Sequence, residues 1–146
     1  MIIQPWLLYA LLSAAAAACV GIFAKLGFND KAIDSNLATT IRSVVMTLFL
    51  LAVCTVTGLW NKVGALHARA LAMIALAGVA GALSWLFYFR AIQLATVAQV
   101  APIDKLSMPL AVLLAVLILG DRPTGWNWLG IALIAGGAVL AALPKQ

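Results

Sequence analysis

The stretch 97–120 constrains the fold most. It is long and apolar enough to cross a bilayer, yet it carries Asp104 and Lys105 side by side, bracketed by Pro102 and Pro109. On a membrane-insertion scale, its twelve Leu, Ile and Val side chains contribute about −5 kcal/mol and the two charges cost about +6 kcal/mol. Because the two contributions nearly cancel, neighbouring helices must shield the polar face of this segment.

The rest of the chain is equally apolar. Of its 146 residues, 66% are hydrophobic and 9% are charged, whereas soluble domains carry about 25% charged residues. Five segments approach the ~20 residues that a spanning helix needs, and they cover residues 6–26, 37–59, 70–92, 97–119 and 126–143. Strand-like alternation does not occur in the sequence. We therefore predict an all-α membrane protein with five transmembrane helices in a single domain, residues 1–146.

Charge and motif content exclude several classes of function. The net charge of +5 does not indicate nucleic acid, because the basic residues lie at the ends of apolar segments, where they anchor to headgroups. The sequence contains no HExxH, GxSxG, GxGxxG or P-loop motif. We expect no enzymatic activity, no metal, no cofactor and no nucleic-acid partner.

Arg42 and two aromatic residues allow two interpretations each. Arg42 lies inside the second span, about 8 Å from its start at 1.5 Å per residue. It either snorkels to the headgroups or takes part in binding or pairing. Trp85 and Tyr88, near the end of the third span, belong either to an interfacial aromatic belt with Arg90 or to the wall of a cavity.

Helix spacing predicts a shared membrane layer. Spans two and four begin on the same side of the membrane, and span three ends there. We expect one polar layer to contain Arg42, Trp85, Tyr88, Asp104 and Lys105, with Arg42 or Lys105 paired to Asp104. Ionisable residues inside a membrane mark ion or substrate sites by default. The alternative is an internal salt bridge that only fixes helix packing.

The two prolines predict a helix break in the fourth span. Pro102 has no N–H to donate to the carbonyl of Ala98, and Pro109 has none for the carbonyl of Lys105. Freed carbonyls at membrane depth are tolerated where they face protein or a watery cavity. Broken helices of this kind commonly form transporter binding sites.

The chain resembles the EamA domain of the drug/metabolite transporter superfamily. The resemblance rests on the aromatic run ending in Arg90-Ala91, the turn 98–102, the Leu-rich helix ending in Gly120-Asp121-Arg122, and the glycine-rich segment 130–137. Arg42 also fits the family pattern. Asp121 stands where members usually have Glu. Most members contain ten helices in two repeats, whereas this chain has one EamA-type repeat.

The resemblance implies a secondary transporter of the inner membrane. The expected activity is export of a small metabolite or drug-like solute by alternating access, with Asp104 taking a coupling proton or a cationic group. Arg42 and Lys105 would tune the charge of Asp104. A single repeat would supply its second half by forming an antiparallel homodimer. The alternative function is a non-transporting assembly subunit whose charges pair with a partner chain.

The distribution of basic residues allows such a dimer. Lys62, Arg69 and Arg122 lie on the amino-terminal side, and Lys25, Lys31, Arg42, Arg90 and Lys145 lie on the other. Cytoplasmic loops carry an excess of Lys and Arg, so this small difference is a weak orientation signal. It permits dual topology, and if one orientation dominates, the amino terminus lies outside.

Overall fold

The computed structural model describes residues 5–28 and 33–143. Its apolar helices long enough to cross a membrane are Pro5–Gly27, Ser35–Val56, Ala68–Leu94, Val97–Leu119 and Gly125–Ala142. The described residues contain no strand, so the predicted all-α membrane fold with five transmembrane helices is confirmed. The helix ends differ from the predicted ends by at most three residues. Lys31 and Lys145, which entered the charge count, lie outside the described residues.

Local hydrogen bonds define the second helix. We label Pro5–Gly27 α1, Ser35–Val56 α2 and Ala68–Leu94 α3. Asp34 caps α2, since its Oδ1 accepts the Asn36 N–H at 2.7 Å. Beyond α2, Gly58 takes a left-handed conformation with φ of 64°. A 3₁₀ helix, Leu59–Ala65, then occupies most of the connection between α2 and α3.

The fourth span is not one continuous helix. It consists of α4 (Val97–Asp104), α5 (Ser107–Leu114) and a π-helical turn (Ala115–Leu119), and it is followed by α6 (Gly125–Ala142). At the start of α4, the Gln99 side-chain oxygen accepts the Thr96 N–H at 3.3 Å and the Thr96 hydroxyl at 2.9 Å. Since residues 97–119 as a whole are long and apolar enough to cross the membrane, the interruption between α4 and α5 falls inside a membrane span.

The interruption lies between the two prolines. The Lys105 N–H donates to the Pro102 carbonyl at 3.1 Å, and the Leu106 N–H donates to the Ile103 carbonyl at 3.0 Å, both across three residues. The Lys105 carbonyl, which we expected to be free, accepts the Met108 N–H at 3.0 Å. That expectation was wrong because a tighter 3₁₀-type turn supplies the donor that proline lacks.

Gly120 ends the π-helical turn in a left-handed conformation. Its φ is 75°, and its N–H donates to the Ala115 carbonyl. The Asp121 N–H donates to the same carbonyl at 3.3 Å. A left-handed residue after a helix lets the chain turn back while its last carbonyls keep donors. Glycine adopts this conformation without the steric cost that a Cβ brings.

The helices form two compact units. One contains α1, the chain from Ile92 to the end of α3, and α4 to α6. Within it, α6 packs mainly against α4 and less extensively against α5. The first helix, α1, also packs against α4. The other unit contains α2, the 3₁₀ helix and α3 as far as Ala91.

Most large apolar side chains are exposed on the single chain. The hydrophobic side chains that are buried among the described residues include Phe89, Ile92 and Ala138, which are 3%, 0% and 7% exposed. Lipid tails are as apolar as leucine, so a membrane helix does not need to bury its apolar surface within its own chain. The exposed side chains are therefore available to lipid or to another protein chain.

Substitution of Gly120 tests the left-handed turn. We expect Gly120→Ala to lower the free energy of unfolding by about 1 kcal/mol, the scale of placing a non-glycine residue in this conformation. A Cβ at Gly120 meets no atom within 4 Å, so the loss would come from backbone strain and not from a clash. The measurement is unfolding of the purified protein in detergent.

Gly125→Ala is the matched control. A Cβ at Gly125 would also meet no atom within 4 Å, and the φ of Gly125 is not positive. Equal effects of the two alanine substitutions would contradict a special conformation at Gly120.

Candidate functional site

One face of α2 carries polar groups into the protein. Ser35 and Thr39 are buried, with 3% and 4% of their surface exposed, and Arg42 is half-buried. The spacing of four and then three residues puts all three on one side of the helix. The Thr39 hydroxyl donates to the Ser35 carbonyl at 2.8 Å, which satisfies its proton within the helix. Thr39 was not identified from the sequence, although the polar spacing at 35, 39 and 42 is the signal that points to it.

The Arg42 guanidinium stacks on Trp85. Its central carbon lies 3.7 Å from the centre of the Trp85 ring and 6.0 Å from the centre of the Phe89 ring. A cation over an aromatic face gains about 0.5–1 kcal/mol at exposed sites and about 2 kcal/mol or more where water is excluded. The side chain thus contacts an aromatic ring of α3, and both interpretations of Arg42 stay predictions.

Three aromatic side chains of α3 hold one another in place. Trp85 makes edge-to-face contacts with Tyr88 and Phe89, with ring centres 5.5 and 5.6 Å apart. Spacings of three and four residues bring side chains together on one helix face. Phe89 is almost fully buried. Because it also contacts Trp85, it supports the ring that Arg42 contacts. The sequence-based site included Trp85 and Tyr88 but omitted Phe89.

Asp104 and Lys105 meet at the helix interruption. The Lys105 Nζ lies 3.4 Å from Asp104 Oδ2, longer than the 2.7–2.9 Å typical of strong charge-assisted hydrogen bonds. The two side chains are 33% and 54% exposed, with Lys105 the more exposed. Of the two predicted partners for Asp104, Lys105 is in contact with it. The pair is therefore loose, and both side chains are partly exposed.

The predicted site residues fall into two groups. Arg42, Trp85 and Tyr88 belong to the unit of α2 and α3, whereas Asp104 and Lys105 belong to the other unit. The contacts above hold within each group. That both groups share one membrane layer stays a prediction.

Lys25 has a structural role that sequence reasoning missed. We expected it to anchor the end of α1 to headgroups. In the structure, its ammonium also donates to the carbonyls of Ile92 and Ala95, the second at 3.1 Å. These carbonyls lie at the end of α3 and just beyond it, where a helix leaves acceptors without intrahelical donors. A cation there also interacts favourably with the helix dipole.

A cleft of about 420 Å³ lies between α5 and α6. It is lined by Val112, Asp121, Arg122, Pro123, Asn127 and Ile131. Asp104 and Lys105 do not line it. Thr124 caps α6 beside the cleft, since its hydroxyl oxygen accepts the Asn127 N–H at 3.4 Å.

No group of three His, Cys, Asp or Glu side chains within residues 5–28 and 33–143 could hold a metal ion.

Comparisons with known proteins agree on one class. The model of the EamA-like transporter family matches residues 4–143. An uncharacterized transporter in the cobO 3' region of Sinorhizobium sp is 45% identical over 140 residues, which cover 96% of this chain and 98% of that protein. A riboflavin transporter of Rhizobium johnstonii is 41% identical over 69 residues, 47% of this chain and 23% of that protein. No solved structure matches the chain.

Removal of the Lys25 ammonium tests its role at the end of α3. We expect Lys25→Met to lower the free energy of unfolding by about 2 kcal/mol, because two carbonyls lose a charged donor. Lys62→Met is the matched control, since Lys62 is exposed in the 3₁₀ helix. SDS titration of each purified protein measures the difference. A role in headgroup anchoring alone would make the two variants equally stable in detergent.

Proposed function

Since the chain belongs to the EamA-like transporter family and is a multi-pass membrane transporter, we propose that two copies form an alternating-access exporter of a small metabolite or drug-like solute. An inner-membrane location is consistent with this family and with the five apolar helices. The family and the transporter-named relatives disfavour the alternative of an assembly subunit without transport.

The observation that carries the proposal is the interrupted fourth span. The break at Lys105 and Leu106 places an acid and a base where the helix changes from α4 to α5. Transporters commonly build their sites at discontinuous helices, because non-helical backbone is tolerated in the membrane only where it faces protein or a water-filled cavity. A loosely paired carboxylate at such a break suits a group that binds and releases its partner.

Two features support a second copy. Glycines of α3 and α6 have free space beside them, because a Cβ added at Gly78, Gly81, Gly130, Gly136 or Gly137 would meet no atom within 4 Å. Small residues allow close helix approach in lipid, so these positions suit contact between chains. In addition, the 69 residues matched in the riboflavin transporter are 47% of this chain but 23% of that protein, which is thus about twice as long.

Each site residue has a role in the proposal. Asp104 takes a coupling proton or a cationic group, while Lys105 and Arg42 adjust its charge. Trp85 and Tyr88 form an aromatic wall for the solute. The stack of Arg42 on Trp85 supports this role, because it joins a cation to that wall at a fixed distance.

Neutralising Asp104 tests the transport role. We expect Asp104→Asn to reduce solute flux in proteoliposomes by about tenfold or more, the scale of one lost charge-assisted contact. The solute comes from a thermal-shift screen over amino acids, sugars, nucleosides, cationic dyes and riboflavin. Riboflavin is included because a partly matching relative carries that name.

Asp34→Asn is the control for Asp104→Asn. It removes the same charge from the chain, and asparagine caps a helix about as well as aspartate. Unchanged flux in Asp104→Asn would contradict the proposed role of the carboxylate.

The antiparallel dimer makes a separate prediction. In a background of Cys19→Ala and Cys54→Ala, single cysteines at Asn36 and Lys62 report the two ends of α2. We expect each cysteine to react with a membrane-impermeant reagent from both faces, because the dimer needs both orientations. Native mass spectrometry should give a homodimer. A monomer, or labelling of each cysteine from one face only, would rule out the antiparallel arrangement.

A further inference from the structure

Arg42 lacks a polar partner in the part of its unit that the structure describes. Within residues 33–91, its guanidinium lies over the Trp85 ring and 6.0 Å from the centre of the Phe89 ring, and it makes neither a hydrogen bond nor an ion pair. Asp34, a described carboxylate of this unit, accepts the Asn36 N–H instead. The Trp85 ring therefore covers one face of the guanidinium. The N–H groups along the guanidinium edge remain available to donate hydrogen bonds.

The position of Arg42 makes this state costly. Arg42 lies seven residues beyond the start of α2, about 10 Å along the helix axis. At such a depth water is scarce, and a charged donor without an acceptor loses solvation that nothing replaces. The guanidinium carries five N–H donors in a planar fork. Stacking on Trp85 compensates for part of the charge but accepts none of these hydrogen bonds.

The aromatic cluster restricts how Arg42 meets a ligand. Trp85 lies against one face of the guanidinium, and Phe89, buried to 3% exposure, supports Trp85 from the side. A guanidinium with a fixed plane presents its edge in a defined direction. That arrangement suits bidentate binding of a carboxylate or phosphate, which a flexible lysine would contact as a point charge.

We propose that Arg42 directly binds an anionic group, a carboxylate or a phosphate, of the transported solute. This inference rests on the proposed transport function and gives Arg42 a binding role in place of a tuning one. Asp104 then serves the coupling proton or a cationic part of the same solute. Trp85 and Phe89 are positioning residues that orient the guanidinium.

The anionic group has two possible sources. One is a solute, and the other is the phosphate of a lipid headgroup that reaches the guanidinium from the membrane surface. Both offer the same acceptor oxygens, so chemistry alone does not distinguish them. The geometry favours the solute, because the guanidinium is stacked on the aromatic cluster, about 10 Å beyond the start of α2.

Matched small molecules test this inference. The full-length protein, purified in an uncharged and phosphate-free maltoside detergent, is titrated calorimetrically with benzoate, phenyl phosphate and benzamide. Benzoate and benzamide have nearly the same shape and differ in charge. We expect benzoate and phenyl phosphate to bind about tenfold more tightly than benzamide, the scale of one charged hydrogen bond. Equal binding of all three, or binding of none, would refute the anion site.

Variants assign the preference to Arg42. Arg42→Gln should abolish the preference for benzoate over benzamide, and Arg42→Lys should retain only part of it. Arg90→Gln is the matched control, because Arg90 is an exposed arginine of the same unit and its loss changes the net charge equally. An equal loss in Arg42→Gln and Arg90→Gln would show only a general charge effect. Should Arg42→Gln not fold, Trp85→Leu replaces it and should weaken the preference.

Phosphatidylglycerol distinguishes the two sources. Added to the same protein, it should compete only weakly with benzoate if the site serves a solute. Tight binding of phosphatidylglycerol that depends on Arg42, with no binding of benzoate, would assign the site to lipid and overturn the inference.

The two proposals fail separately. Flux that depends on Asp104, together with equal binding of benzoate and benzamide, would refute the anion site and leave the transport function intact. Unchanged flux in Asp104→Asn would refute the transport role of that carboxylate, whatever benzoate does.

Discussion

The need to satisfy every backbone polar group without water governs this protein. In the hydrocarbon layer an unpaired N–H or C=O costs several kcal/mol, and the long apolar helices meet that requirement along most of their length. The informative places are those where the helical ladder stops. Gly58 and Gly120 turn the chain in left-handed conformations, and Lys25 donates to carbonyls at the end of α3. Each of these helix ends therefore has a specific chemical solution.

The fourth span shows how a break can exist under the same constraint. Pro109 has no N–H to donate to the Lys105 carbonyl, but the Met108 N–H donates to that carbonyl across three residues instead. The break therefore changes the hydrogen-bonding pattern without leaving the Lys105 carbonyl unpaired. What it adds to the membrane layer is the charged pair of side chains and not a freed carbonyl at that position. The solute role proposed for this break therefore rests on the side chains of Asp104 and Lys105 and not on that carbonyl.

Sequence patterns predicted the elements well and the contacts less well. Apolar length is enough to locate five spans, because the bilayer thickness sets a minimum that each segment meets. The roles of Lys25 and Phe89 depend on which helices become neighbours, and a single sequence does not contain that information. The contact of Arg42 with Trp85 could not be predicted from the sequence for the same reason. The break between Pro102 and Pro109 was accessible from sequence, since proline acts on its own helix.

Three cations of this chain are stabilised in three different ways. Lys25 donates to backbone carbonyls, Lys105 contacts a carboxylate, and Arg42 lies on an aromatic ring. Carbonyls and carboxylates accept hydrogen bonds from the cation, so the first two arrangements satisfy donors as well as charge. An aromatic face compensates for charge but accepts little from an N–H on the guanidinium edge. Of these three cations, Arg42 is thus the one whose described contacts leave the most hydrogen-bonding capacity unused. This difference, more than its charge, makes it the candidate to hold an anion.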